Sequence, residues 1–113
     1  MKSCINHPTN EPILVLYKWQ VDFCEGDRCA AALLSFFENQ WNMLEDPDQW
    51  LTFIEFDFKI GTLLLCSGEK LRKALNLLQS KGVLEIKKAS DDSEQFRFKP
   101  EVVCKWLKSR KAD

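Results

Sequence analysis

The stretch from Cys66 to Lys99 constrains the fold of this chain more than any other. Its first part is a polar turn, Cys66-Ser67-Gly68, followed by apolar residues at the i, i+3, i+4, i+7 spacing of one helix face, which are Leu71, Ala74, Leu75 and Leu78. Gly82 comes directly after this pattern, where a glycine in the left-handed conformation often ends a helix. Two alternating segments, 83–88 and 95–99, then flank the polar tip 89–93. The order predicts a helix, a glycine stop and a two-stranded hairpin.

Length and composition predict a single globular domain, because the chain has 113 residues of which 45% are hydrophobic. The longest apolar stretches, 30–34 and 63–66, are far shorter than the ~20 residues needed to cross a bilayer. The first residues, MKSCINHPTNEP, lack the apolar core of a secretory signal. Five cysteines without the spacing of a disulfide framework predict reduced thiols in a cytoplasmic protein.

Charge divides the chain into two unlike halves. Residues 1–66 carry 4 basic and 10 acidic side chains, a net charge of −6, whereas residues 67–113 carry 12 basic and 7 acidic side chains, a net charge of +5. The basic half contains the predicted helix and hairpin, and a polyanion would bind there. The acidic half would face away from it or meet another protein. A pI of about 5.9 is nevertheless low for a DNA-binding domain.

The region before this unit predicts one long helix. Residues 1–12 are expected to be a flexible start, because prolines and asparagine interrupt them. Segment 13–17 fits either a buried strand or the first turns of a helix, and the alternation in 18–23 favours an extended segment. Asp27 is a suitable N-cap for a helix whose apolar face continues to Leu44, and Asp46-Pro47 would end it.

Segment 50–65 is ambiguous, since it fits both strand alternation and a helical face. We assign 50–53 to a short strand that pairs with the hairpin, and roughly 55–65 to a helix. Gly61 would cost that helix about 1 kcal/mol relative to alanine, which is tolerable where another helix approaches closely. A final helix is expected to begin at Pro100, and 108–113 would form a basic tail.

Three segments carry a resemblance to a known family: GDRCAAALLSFFEN (26–39), GTLLLCSGEKLRKALNLLQSKGVL (61–84) and the hairpin that ends in QFRFKP. In this order they resemble winged helix-turn-helix proteins of bacterial plasmids, phages and chromosomes, some of which are replication initiators, replisome organisers or regulators. The resemblance covers residues 13–107. It implies an α+β winged helix-turn-helix domain of three to four helices with a small antiparallel sheet.

This fold implies a DNA-binding surface made of the helix after Cys66 and the hairpin. The candidate residues are Ser67, Lys70, Arg72 and Lys73 on the helix, for the major groove and its phosphates, and Lys87, Lys88 and Arg97 on the hairpin. The alternative is that these are ordinary solvated charges, and that the hairpin lysines only discourage sheet-to-sheet association. Gly68 and Glu69 at the start of the helix favour contact with the DNA backbone over base reading.

The sequence does not favour a metal, a cofactor or catalysis. Cys4, His7, Cys24 and Cys29 are the right residue types for zinc, but buried free cysteine is the commoner state, and we predict no metal. A single histidine does not supply a set of nucleophile, base and orienting group, so we expect no enzyme.

Two functions therefore remain. The first is a small, homodimeric binder of double-stranded DNA that acts in transcription regulation or in replication of a mobile element. The second is a protein-binding module that uses its acidic amino-terminal half, either as an adaptor or as a phage or plasmid inhibitor of a host nucleic-acid-binding complex.

Overall fold

The computed structural model describes residues 16–63, 66–91 and 93–111. Within these residues the fold is α+β, with five helices and three strands in the order α1 (Lys18–Phe23), α2 (Arg28–Asn42), β1 (Leu51–Thr52), α3 (Glu55–Gly61), α4 (Gly68–Ser80), β2 (Leu84–Lys88), β3 (Glu94–Phe98) and α5 (Pro100–Lys111). The expected flexible start at 1–12 and segment 13–15 lie outside the described residues.

Helix α2 is the central element, as predicted, and it packs against α1, α3, α4 and β3. The Asp27 side chain caps it, because Oδ1 accepts a hydrogen bond from the Ala30 N–H at 3.0 Å. The first part of the helix is buried on every side, because residues 29–34 are all buried, and Phe37 continues the buried face. The prediction of a long scaffold helix capped by Asp27 is confirmed.

The extended segment predicted for 18–23 is wrong, because these residues form α1. The side chain of Gln20 turns back and accepts a hydrogen bond from the Tyr17 N–H at 2.9 Å, and its Nε2 donates to Ser35 Oγ on α2 at 3.1 Å. Gln20 is thus buried beside Phe23. A polar residue on the buried face hid the helical spacing. This additional helix brings the number to five.

Helix α3 begins where predicted but is shorter, since it ends at Gly61 and Leu63 has a positive φ of 51°. Its buried residue is Phe58, whereas Phe56 and Ile60 are exposed. Gly61 lies against the ring of Phe36 on α2 so closely that a Cβ there would overlap the ring. The close helix approach expected at Gly61 is confirmed.

The three strands form one antiparallel sheet in the order β1-β3-β2. Phe96 at its centre is opposite Leu51 on one side and Ile86 on the other. The strand within 50–53 and its pairing with the hairpin are therefore confirmed. The inner face meets α2 through a cluster of aromatic rings that pack edge-on, tilted or, for Phe37 and Phe98, stacked. The rings are those of Phe36, Phe37, Phe53, Phe58, Phe96 and Phe98.

The elements around the hairpin follow the prediction. Gly82 has a φ of +79° directly after α4, and β2 and β3 pair over their full length. Helix α5 begins at Pro100, and its Trp106 packs edge-on against Phe23 with ring centres 5.2 Å apart. The helix continues through Lys111, so it includes most of the segment expected to be a basic tail.

Two cysteines contradict the expectation of reduced thiols, because Cys29 and Cys66 form a disulfide with Cα atoms 5.3 Å apart. Cys29 lies in the first turn of α2, and Cys66 is two residues before α4. The burial of both side chains at the α2–α4 contact brings the sulfur atoms together. Sequence separation alone gave no indication of this pairing. Among the described cysteines, Cys24 and Cys104 are free.

Candidate nucleic-acid interface

Helix α4 presents its buried side to α2 and its charged side to solvent. Leu71, Ala74, Leu75 and Leu78 are buried as the spacing predicted, so the predicted basic residues Lys70, Arg72 and Lys73 are exposed. At 100° per residue these three do not form one row. Lys70 and Lys73 lie toward one edge of α4, whereas Arg72 lies toward the other.

The edge of α4 that carries Lys70 and Lys73 borders a shallow groove of about 700 Å³ beside the turn from α1 to α2. Arg28, in the first turn of α2, lines the same groove. Among the described residues, no partner forms an ion pair with the side chains of Arg28, Lys70 or Lys73. Glu25 and Asp27 also line the groove. We name the three cations Arg28, Lys70 and Lys73 the α4 basic edge.

Sequence reasoning missed Arg28 because it belongs to the acidic half of the chain. The sequence did place Arg28 directly after the Asp27 cap, and therefore in the first turn of a helix. This was the available indication that its side chain has a fixed position. That the start of α2 lies beside α4 depends on tertiary packing, and the disulfide from Cys29 to Cys66, just before α4, depends on the same packing.

The opposite edge of α4 is tied to the hairpin. Arg72 makes a bidentate ion pair with Glu94 at the start of β3, with contacts of 2.6 and 3.1 Å. Hydrogen bonding to Arg72 lowers the pKa of the Glu94 carboxyl below its ordinary value, so the carboxyl is charged at neutral pH. Lys88 is directly opposite Glu94 in the sheet and contributes to the same shift. A phosphate would therefore compete with Glu94 for Arg72.

The start of α4 is also occupied. Ser67 is the N-cap and is exposed, but its side chain makes no capping hydrogen bond. The Gly68 N–H instead donates to Glu55 Oε1 of α3 at 2.9 Å. An acidic side chain thus takes the position at the helix N-terminus that a phosphate would use.

Two of the three predicted hairpin residues lie on the outer face of the sheet. The register places Lys87 and Arg97 there, away from Phe96, whereas Lys88 is on the inner side with Glu94. Both outer cations lie over the ring of Trp50, with Lys87 Nζ at 4.2 Å and Arg97 Cζ at 4.5 Å from its centre.

Arg97 is further engaged by Glu85. Its Nε and a terminal nitrogen donate to the two carboxylate oxygens at 3.0 and 3.2 Å. This hydrogen bonding lowers the pKa of Glu85, and Lys99 adds a weaker contact at 3.6 Å. Lys87 carries the less restrained charge of the outer face.

The structure therefore divides the seven candidate residues. Lys70 and Lys73 form one group with Arg28. Arg72 and Lys88 converge on Glu94 at the junction of α4 and the hairpin. Lys87 and Arg97 flank Trp50 on the other face of the sheet, and Ser67 stands apart from all three groups.

A metal site finds no support in the part of the chain that the structure describes, which contains no group of three or more potential ligands. Of the four residues considered for zinc, Cys29 is paired with Cys66, and Cys4 and His7 lie outside the described residues. Cys24 is fully buried, and burial raises the pKa of its thiol to about 12. In the described ranges we also find no helix with the length and apolar character of a membrane span.

Comparison of the chain with protein-family models, with curated protein sequences and with solved structures found no match. The function proposed below consequently depends on the geometry of this chain and on the resemblance carried by its sequence.

Proposed function

We propose that this protein is a small winged helix-turn-helix binder of double-stranded DNA that acts in transcription regulation or in replication of a mobile element. The element order α2-β1-α3-α4-β2-β3 and the sheet order β1-β3-β2 support the assignment. In a winged helix-turn-helix domain we expect a short strand that pairs with the wing, followed by a helix before the turn, and this order is compatible with that expectation. In this assignment α4 is the recognition helix and the β2–β3 hairpin is the wing.

The observation that carries the proposal is the α4 basic edge. Three cations from two helices line one groove without an ion pair to any other described residue. When such cations neutralise phosphates, the counterions condensed on the DNA are released. The binding free energy therefore depends on the salt concentration. The groove edge would follow a DNA backbone while the exposed ridge of α4 enters the major groove.

The hairpin is assigned a smaller share of the binding energy. Arg97 and Arg72 each have a carboxylate partner within the protein, so a phosphate gains less by pairing with them. Lys87 and Lys88 are exposed and would provide the contacts of the wing. We expect phosphate contacts to position the domain and base reading to be limited.

The test is a titration of duplex DNA across a salt series. We compare the protein with the variant Lys70→Glu/Lys73→Glu and with a matched control, Lys105→Glu/Lys108→Glu, which makes the same charge change at two exposed residues of α5. Each lost phosphate contact lowers the slope of log K against log salt by about one. The slope of the α4 variant should therefore be smaller in magnitude by about two than that of the unmodified protein. The α5 control should keep the slope of the unmodified protein.

Two results would reject the proposal: absence of duplex binding even at low salt, or an equal loss in the α4 variant and the α5 control. The second would mean that only net charge matters. Selection of duplexes from a random library would then measure how much base reading accompanies the backbone contacts.

We further propose that the DNA-binding form is a homodimer. One domain of this size presents a single recognition helix, and two-fold pairing doubles the number of half-site contacts.

A second candidate is the protein-binding module, an adaptor or an inhibitor of a nucleic-acid-binding complex. It is favoured by exposed apolar side chains on α3, in the acidic half of the chain. The duplex titration separates the two candidates, because the module requires no DNA binding.

A further inference from the structure

Helix α3 carries large apolar side chains on its solvent side. Ile54 at its N-cap, Phe56 and Ile60 are 62%, 63% and 58% exposed, and Leu63 just beyond the helix is 37% exposed. Phe56 and Ile60 are one helix turn apart, and we name them, with Leu63 just beyond them, the α3 patch. Ile54 is not part of it, because it lines a cleft with Phe58 and Arg72. Single exposed apolar residues are common on protein surfaces, but a contiguous group on one short element marks a surface that is covered by something else.

The position of Phe58 explains why the α3 patch faces solvent. Its ring is buried against Phe36, Phe37 and Phe96, and this contact fixes the rotation of the helix. Phe56 and Ile60 are four residues apart and lie on one ridge, away from Phe58. Among the described residues, no element covers this ridge, and the helix cannot rotate to bury it without removing Phe58 from the core.

We propose that the α3 patch is covered by the α3 patch of a second copy of this chain, in a two-fold symmetric dimer with antiparallel α3 helices. The charges beside the ridge are self-complementary in this arrangement. Glu55 and Lys59 lie on the same flank of the helix, four residues apart. A two-fold axis perpendicular to antiparallel helices places the same flanks together and sets Glu55 of each copy beside Lys59 of the other.

Within one chain, the described residues leave Lys59 and one oxygen of Glu55 without a partner, as such pairing requires. Lys59 forms no ion pair with another described residue. Glu55 uses Oε1 to accept from the Gly68 N–H, and the described residues offer no hydrogen bond to its Oε2. The second copy would supply a partner to both.

The size of the patch sets the expected strength of the dimer. Covering the exposed parts of three such side chains removes on the order of 300 Å² per copy from water, less than half of the ~800 Å² per partner in a standard interface. Neighbouring polar residues must contribute the remainder. We therefore expect a reversible dimer whose population rises with protein concentration.

Pairing through α3 leaves the α4 basic edge open. The Ile54 end of α3 lies along the edge of α4 that carries Arg72, whereas Lys70 and Lys73 are on the edge facing the α1–α2 turn. The inference does not rest on DNA binding, because the dimer is measured without DNA.

Sedimentation equilibrium of the full chain over a wide concentration range tests the pairing. We expect the weight-average mass to rise from that of one chain toward that of two. The variant Phe56→Ser/Ile60→Ser should raise the dimer dissociation constant at least tenfold. Met43→Ser is the matched control, because Met43 is 71% exposed but lies beyond the end of α2, and it should leave the constant unchanged.

A charge-swap experiment tests the orientation. Glu55→Lys has two lysines on the flank and Lys59→Glu has two glutamates, so each variant alone should be mainly monomeric. Mixed at equal concentration they should form a heterodimer, and circular dichroism checks that both remain folded. If Glu55→Lys fails to fold because Gly68 loses its acceptor, Lys59→Glu alone still reports, since it should weaken self-association.

Three results would overturn the inference. One is a monomer at all concentrations, which would leave the patch to a different protein. The others are a dimer that the Phe56→Ser/Ile60→Ser variant does not weaken, and charge variants that associate as the unmodified chain does. Because the readout is mass, failure here and failure of the duplex titration are independent results.

Discussion

Gly61 lies against the ring of Phe36, at the contact between α3 and α2. Alanine is the better helix former by about 1 kcal/mol, yet its methyl group would overlap the ring. Overpacking of this kind typically costs ~1–3 kcal/mol, because the ring is held by its neighbours. We predict that Gly61→Ala lowers the free energy of unfolding by about 1–2 kcal/mol in urea denaturation.

A double-mutant cycle identifies the cause. In a Phe36→Leu background the smaller side chain leaves room for the methyl group, so Gly61→Ala should cost clearly less there than in the unmodified protein. An equal cost in both backgrounds would contradict the steric explanation and would point to the backbone instead.

Cys24 and Cys104 provide a second residue-scale prediction. Cys24 is completely buried and the pKa of its thiol is raised to about 12 by burial, whereas Cys104 is exposed on α5. In a Cys4→Ser variant, iodoacetamide at mildly alkaline pH should modify one thiol of the folded protein, and a second one only after unfolding. Mass spectrometry of the labelled peptides distinguishes them, and early labelling of Cys24 would contradict its burial.

Single residues with a local role could be predicted from the sequence. The cap by Asp27 and the stop at Gly82 depend on chemistry within a few residues. The partners of Arg72 and Arg97 could not be predicted, because Glu94 and Glu85 reach them only after the hairpin has formed its register. For this reason the sequence treats all seven candidate residues as equally available.

At the scale of elements, the Arg72–Glu94 pair ties α4 to the hairpin. Its partners are about half and one-quarter exposed, so we expect it to contribute no more than ~1 kcal/mol. The pKa of Glu94 is lowered in the folded state. The contribution of the Arg72–Glu94 pair to the free energy of unfolding is therefore complete above the ordinary glutamate pKa. It is lost as the pH falls through the lowered folded-state pKa of Glu94. The free energy difference between the unmodified protein and Glu94→Gln should thus be present at pH 7 and disappear in acid.

The measurement is a set of urea denaturation curves for both proteins from neutral to acidic pH. Other carboxylates titrate equally in the two proteins and cancel in the difference. Repeating the comparison in an Arg72→Gln background should remove most of the difference at pH 7. A difference that persists unchanged there would show that Glu94 is stabilised by other charges, such as Lys88.

The long elements with an uninterrupted pattern were predictable, whereas the short helices α1 and α3 were predicted less accurately. Helix α2 and the hairpin agree with the periodicity, because burial alone fixes their orientation. Helix α1 was missed because Gln20 occupies a buried position through its bond to Ser35. The buried face of α3 could not be predicted, because segment 50–65 fits both strand alternation and a helical face, and only the aromatic cluster around Phe58 fixes its rotation.

At the scale of the whole molecule, the Cys29–Cys66 disulfide connects the start of the scaffold helix to the start of the proposed recognition helix. It joins cysteines separated by 37 positions, with β1 and α3 between them. The entropy lost by the unfolded chain on closing a loop of this length corresponds to about 4 kcal/mol. The prediction of a cytoplasmic location stays a prediction, and this bond removes one of the reasons for it.

We predict that reduction lowers the free energy of unfolding by ~2–4 kcal/mol, measured in urea with and without a strong reductant. Cys66→Ser should show the same loss and no further effect of reductant. Cys104→Ser is the control, because Cys104 is free and exposed, and it should leave the effect of reduction intact. If quantitative thiol labelling of the unfolded, unreduced protein finds all five cysteines reactive, the two sulfurs are not bonded, and the stabilisation would have to come from packing alone.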